Sequence, residues 1–214
     1  MRDLGRHRSR SIPAQATAPS LTYDRSVTEQ QRYRVVEARG DAELREYDPC
    51  VVADVTVAGD VEDAGNAAFR PLVSYISGAN QAKTSLAMTA PVLQQATGER
   101  LAMTAPVLQE AAGPRTWTVS FVLPGDRALS DYPVPTDPRV TLRHIPAESA
   151  AALRWSGRWT ASNLAQRTRQ LQDVIAEAGW EVAGQPRWAR FDPPWTPPFL
   201  RRNEIVIPVR RSNH

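Results

Sequence analysis

The chain has 214 residues, 42% of them hydrophobic, and 26 basic against 23 acidic side chains give a formal charge of +3. That length and composition suit one sizeable core or two small ones, and exclude a fibrous or wholly disordered chain. Cys50 is the single cysteine, so an intramolecular disulfide is excluded. No stretch resembles the core of a signal peptide or the ~20 apolar residues of a membrane span. The expectation is a cytoplasmic protein without stable membrane insertion.

Of the 26 basic residues only Lys83 is lysine, so bidentate recognition of carboxylate or phosphate is available in many places. Arg2, Arg6, Arg8, Arg10 and Arg25 against Asp3, Asp24 and Glu29 give residues 1–31 a net of +2, leaving +1 for the rest. This segment is rich in Arg, Ser, Ala, Pro and Gln and lacks periodicity. It reads as a disordered basic tail ahead of one folded domain over 32–210. A basic tail without a basic face argues against a nucleic-acid partner.

Strand patterns open the folded part at 33–39, 42–47 and 51–57, the last with Val51, Val55 and Val57 alternating against Val52, Asp54 and Thr56. A helix follows, with Asp60 as its cap and Glu62 and Asp63 at the positive end of its dipole. Val61, Ala64, Ala68, Leu72, Tyr75 and Ile76 form one face, and Gly78 is its stop. Phe69 and Val73, four apart, widen that face. Next comes an exact repeat: Leu-Ala-Met-Thr-Ala-Pro-Val-Leu-Gln stands at 86–94 and again at 101–109. The two copies are expected to pair as antiparallel neighbours across the linker 95–100, each bent or at an edge where Pro91 and Pro106 withhold an N–H.

A strand at 115–123 and a loop through Pro124, Pro133, Pro135 and Pro138 lead to a second round of the same pattern. Residues 44–59 and 142–157 both begin Leu-Arg, both hold a proline near the middle, and both run through an apolar strand to a glycine before a helix. This reads as an internal duplication with an offset of 98. The second helix is expected over 162–178, capped by Ser162, with Leu164, Leu171, Val174, Ile175 and Ala178 as its stripe and Gly179 as its stop. Strands at 180–191 and 201–209 flank the loop Asp192-Pro-Pro-Trp-Thr-Pro-Pro-Phe199. Two duplicated βαββ halves predict an α+β domain whose antiparallel sheet closes or nearly closes, with the two helices packed against it. A doubly wound parallel sheet is disfavoured, because two helices cannot serve about nine strands.

The segments Glu-Leu-Arg-Glu-Tyr-Asp-Pro at 43–49, Phe-Arg-Pro-Leu-Val-Ser-Tyr-Ile-Ser-Gly-Ala-Asn at 69–80, the Ala-Met-Thr-Ala-Pro-Val copies, and Asp192-Pro-Pro-Trp followed by Arg201-Arg-Asn-Glu-Ile together resemble the SOUL, or heme-binding protein, family. The resemblance covers 33–209 in the right order. It implies a distorted antiparallel β-barrel flanked by two helices in a pseudo-twofold arrangement, and a monomer that binds heme or other tetrapyrroles reversibly and non-covalently. It further implies a groove beside the first helix and the loop before the last strand, here 61–76 and 192–202. Phe69, Leu72, Val73, Trp195 and Phe199 would supply wall and lid to a flat apolar ring, and Arg70, Arg201 and Arg202 would meet its propionates. On the residues alone, Arg201 and Arg202 can equally pair with Glu204 or cap strand edges.

One departure concerns the iron. Some members carry a histidine just before the tyrosine of the first motif, where this chain has Glu46 ahead of Tyr47. His144, at the corresponding place in the duplicate, is the histidine within the fold and the candidate metal ligand. Tyr47, Cys50, Met88 and Met103 are further groups able to coordinate iron, although the methionines read as core. A heme buffer or carrier is the leading expectation. The alternatives are an effector-binding module for hydrophobic or cationic small molecules, since the duplicated architecture resembles ligand domains of certain transcription regulators, and an enzyme acting on bound heme. Enzymatic function is disfavoured, because no nucleophile elbow, metal-ligand cluster or phosphate-cradling loop stands in the chain.

Overall fold

The computed structural model describes residues 31–81, 98–102, 104–125, 127–192 and 195–212. In chain order the elements are β1 (Tyr33–Arg39), β2 (Ala42–Tyr47), β3 (Cys50–Ala58), α1 (Val61–Ile76), β4 (Asn80–Gln81), β5 (Val107–Gly113), β6 (Thr116–Val122), β7 (Val134–Pro135), β8 (Thr141–Ile145), β9 (Glu148–Trp155), α2 (Ala161–Glu177), β10 (Trp180–Val182), β11 (Arg187–Arg190) and β12 (Asn203–Arg211). Nine strands form one antiparallel path in the order β1-β2-β9-β12-β11-β5-β6-β3-β8, with β10 beside β12, while β4 and β7 make a separate pair. This is an α+β fold with two helices and a large antiparallel sheet. Among the described residues no ladder joins β1 to β8, so the expected barrel closure is absent from the pairing.

The duplication is written in the register. Strand β2 does not pair with β3: it pairs with β9, Leu44 opposite Ala151, while β3 pairs with β8, Ala53 opposite Leu142. Moving every residue by 98 exchanges these two ladders, and the same Leu–Ala pair stands in each. From the centre outward, β5-β6-β3-β8 mirrors β11-β12-β9-β2, so the pseudo-twofold passes between β5 and β11. Gly59 and Gly157, also 98 apart, end β3 and β9 with φ of 133° and 136°. Only glycine adopts that region readily, and the sharp turn it allows drops the chain into each helix.

Both helices pack on one face of the sheet. On α1 the anticipated stripe of Val61, Ala64, Ala68, Leu72, Tyr75 and Ile76 is buried, and Val51, Ala53, Val55, Val119 and Phe121 meet it from the sheet. On α2, Leu164, Leu171 and Ile175 are buried against Ala151, Leu153, Ile205 and Ile207. The caps differ from expectation. Asp60 makes no side-chain cap bond and instead pairs with Arg115 at 3.0 Å. For α2 the cap is Thr160, whose hydroxyl accepts from the Asn163 N–H, because the helix starts one residue before Ser162. The strand expected over 180–191 is two: Pro208 offers β10 and β11 no N–H, and between them only the Ala183 N–H reaches its carbonyl.

The first nonapeptide copy lies outside the described residues. In the second copy, Val107–Gln109 of β5 are flanked by β6 on one side and β11 on the other. Both edges are taken at those positions. The expected pairing of the copies with each other has no free edge there.

The face away from the helices is also buried, around Val52, Leu108, Val122, Ile145 and Ala189 and around Tyr47, Ala150, Ala152 and Val206. Charged groups on it are matched: Arg45 donates to Glu204 at 2.6 Å, to Glu43 at 2.7 Å and to the Tyr47 hydroxyl at 3.0 Å. Arg187 pairs with Glu148, and Arg143 with Asp54 and Glu110. Burial pulls the Arg45 pKa down, but its hydrogen bond to Glu204 and the nearby charges outweigh this and hold it raised. A buried pair of this kind holds register more than it adds stability.

Replacing Gly59 or Gly157 by alanine should cost about 1–3 kcal/mol each, purely through backbone strain, since no atom lies within 4 Å of the added Cβ at either place. Urea unfolding of the two variants checks this. Similar losses fit the duplicated turn, and a loss at only one glycine would break the equivalence.

Candidate functional site between the first helix and the proline-tryptophan loop

Gly65, Phe69 and Val73 stand four apart and form one line along α1. Phe69 is 47% exposed and meets Phe121 edge-on at 5.9 Å between ring centres, while Val73 is half-buried against the core. Leu72 is fully buried under the helix and faces the sheet, so it braces this line without lining it. Arg70 is exposed on the helix surface.

In the loop, Trp195 is 82% and Phe199 74% exposed, and Leu200 follows them into solvent. The Pro198 carbonyl accepts the Gly157 N–H at 2.9 Å, which fastens the loop to the duplicate turn. Arg201 donates through Nε to the Thr196 carbonyl at 2.7 Å. Arg202 donates to Glu204 at 2.7 Å and lies 3.9 Å over the Phe191 ring, while its backbone N–H reaches Asp192. Loop arginines therefore shape the loop. No aromatic contact joins Phe69 to Trp195 or Phe199 among the described residues.

A further residue on this side of the sheet stands against Gly65 of α1. Arg190, the last residue of β11, points to the helix side of the sheet, with its guanidinium carbon 4.0 Å from the Trp159 ring centre. Its Nη1 lies 3.2 Å from where a Cβ on Gly65 would stand, so only glycine leaves that space open. Its Nε and Nη2 are buried and have no hydrogen-bond partner. Trp159 also stacks on Trp155 at 6.2 Å, and the indole N–H groups of both are buried and unpartnered. Strand alternation was the available signal: Trp188 and Arg190 share a face, and an arginine at an inward position asks for an explanation.

Charges of both signs, Arg201 and Glu62, act on Arg190. Gln109 donates to the Val61 carbonyl at 2.9 Å and sets the start of α1 over β5; Glu62 accepts the Ala161 N–H at 2.7 Å and brings the start of α2 alongside. Two positive helix ends therefore meet near the guanidinium. Burial, then the charge of Arg201, pull the Arg190 pKa down to about 10, against a smaller opposing effect of Glu62. What fits such a place is an anion.

The candidates for iron ligation do not gather there. His144 is exposed on the end strand β8, opposite Val51, with β3, β6 and β5 between it and β11. Tyr47 is buried, and desolvation, partly offset by Arg45, pushes its hydroxyl up to about 12. Burial likewise pushes the Cys50 thiol up to about 11. Neither is an anionic ligand near neutral pH. Met88 and Met103 lie outside the described residues. Among the described residues no group of three His, Cys, Asp or Glu could hold a metal ion.

A second cavity, about 490 Å³, is lined by Tyr33, Asp41, Glu43, Arg45, Arg154 and Glu204, among others. Its wall holds three arginines, Arg45, Arg154 and Arg202, against three carboxylates, Asp41, Glu43 and Glu204. Arg45 is matched by Glu43 and Glu204, and Arg202 by Glu204, within the chain itself.

A comparison with curated proteins finds no match. Among solved structures, the chain is similar to the C-terminal domain of EcmrR, with 15% identity and a TM-score of 0.58 over 84% of this chain and 99% of that one. It is also similar to a hydrolase from Listeria innocua, with 14% identity and a TM-score of 0.56 over 82% and 94%. At such identities these likenesses concern the fold alone. The family described as SOUL heme-binding protein matches residues 28–99 and 94–208, with one nonapeptide copy in each segment. Two segments spanning most of the sequence leave no doubt of kinship: the chain belongs to the SOUL heme-binding protein family.

Proposed function

We propose that this protein binds heme or another tetrapyrrole reversibly and without a covalent link, and serves as a cytoplasmic, monomeric buffer or carrier. Membership of the family implies tetrapyrrole binding in general. The observation that carries the reading here is the exposure of Phe69, Trp195 and Phe199 together with a half-buried Arg190 whose Nε and Nη2 are sealed without a partner. Large aromatic groups left in water mark a surface made to be covered. A planar ring covering them recovers their burial, and no chemistry on the ring is needed for that gain.

In this reading Phe69 and Val73 form the wall, Trp195 and Phe199 the lid, and Leu72 supports the wall from beneath. Arg70, Arg201 and Arg202 form a cationic rim; the last two stay tied to their loop contacts and attract propionates by charge. The iron is not the handle. Affinity resides in the ring and its carboxylates, and His144 stands apart from the trough.

Hemin titrated into the protein should give a saturable Soret change and tryptophan quenching at micromolar concentration, and metal-free protoporphyrin IX should bind within about ten-fold of it. Replacing Trp195 and Phe199 together by alanine should weaken both by roughly ten-fold. Absence of saturable binding would overturn the reading, and a hemin preference of several hundred-fold would restore iron ligation as its basis.

A thiol held near pKa 11 should be slow to react. Iodoacetamide should alkylate Cys50 on the order of 100-fold more slowly than free cysteine at pH 8, with the rate climbing about ten-fold per pH unit until pH approaches 11. Rapid alkylation at pH 8 would reveal an activated thiolate and reopen Cys50 as a ligand.

A further inference from the structure

Four arginines on or beside the sheet meet carboxylates, and Arg190 does not. Arg45 has Glu204 and Glu43, Arg187 has Glu148, Arg143 has Asp54 and Glu110, and Arg202 has Glu204. Arg190 has no carboxylate at all, and two of its nitrogens are sealed from solvent without an acceptor. Leaving a buried cation unmatched is strongly unfavourable, and a fold that only needed to fill this space would be better served by methionine or leucine. The indole donors of Trp155 and Trp159, each more than nine-tenths buried, are unsatisfied in the same cluster. Every orphaned group in the cluster is a donor, and what is missing is an acceptor.

The nearest acid does not supply it. Glu62 faces Arg190 from α1, but its carboxylate accepts the first N–H of α2. Gly65, by lacking a side chain, lets the guanidinium lie directly against α1, on the line that continues to Phe69 and Val73. Phe69 is one helical turn from Gly65, about 6 Å along the axis. A ring resting on Phe69 could therefore reach Arg190 with a short acidic arm.

We propose that Arg190 receives a free carboxylate of the bound ligand, so that the site selects tetrapyrroles with unesterified propionates over neutral ones. This rests on the tetrapyrrole reading above and adds to it the group that chooses among tetrapyrroles. The depressed pKa of the guanidinium agrees, since burial and then the charge of Arg201 outweigh the opposing effect of Glu62. The planar fork matches a carboxylate in two bonds, and the Trp159 ring, 4.0 Å away, packs against it.

The test titrates metal-free protoporphyrin IX and its dimethyl ester into the full chain, followed by porphyrin fluorescence, with thermal unfolding of the unliganded proteins alongside. The wild-type protein should bind the free acid at least ten-fold tighter than the ester. Arg190→Met should lose that preference while its ester affinity stays within about two-fold, and Arg190→Lys, which keeps the charge without the fork, should keep only part of it. The unfolding temperature of Arg190→Met should equal or exceed that of the wild type. Equal binding of acid and ester by the wild type, or an undiminished preference in Arg190→Met, overturns the selection while the tetrapyrrole reading survives. Binding of neither porphyrin sinks both together. An Arg190→Met protein that unfolds many degrees lower marks Arg190 as a structural residue and also overturns the proposal.

Discussion

Strand exchange between the halves is the constraint on which the structure depends. Because β2 lies against β9 and β3 against β8, neither half can complete its own share of the sheet. The ladders β9–β12 and β3–β6 then extend the two exchanged pairs toward the centre, where β11 meets β5. A single side of the sheet receives both helices, and their starting ends converge over the central seam. The candidate site draws on both halves in this arrangement: the first helix comes from one half, the proline-tryptophan loop from the other, and Arg190 from the strand beside the symmetry axis.

The two faces of the sheet treat charge in opposite ways. Away from the helices, Arg45, Arg143 and Arg187 are each met by carboxylates, although one Asp54 oxygen there is buried without a partner. On the helix side, Arg190 is surrounded by aromatic rings, glycine and positive helix ends. Such asymmetry within one domain argues that the unmatched guanidinium is kept for something outside the chain. A protein retains an unfavourable group where function needs it, and offsets the loss through packing elsewhere.

Much of the fold was legible in the residues. The α1 stripe is buried residue for residue, and the offset of 98 read from two similar segments is the same offset that exchanges the ladders. Periodicity and repetition are local properties, so a sequence carries them plainly. Partner choice between strands is not local. The twin nonapeptides invited pairing with each other, yet identity says nothing about which edges are free, and Val107–Gln109 found β6 and β11.

The site was legible in part. Phe69 and the exposed aromatic loop follow from composition and from likeness to the family, whereas Leu72 belongs to the buried stripe and not to a wall. Arg190 carries no local signal beyond strand alternation, because its surroundings arise only when Trp159, Gly65 and a Glu62 that is turned to the start of α2 come together from distant stretches. A direct measurement of the trough is amide and indole NMR of the full chain titrated with metal-free protoporphyrin IX. The account predicts large ring-current shifts at Gly65, Phe69, Arg190 and the Trp159 and Trp195 indoles, with Tyr33, Asp41 and Arg154 of the polar cavity unmoved. Shifts concentrated around that cavity, with Gly65 and Arg190 unchanged, would contradict it.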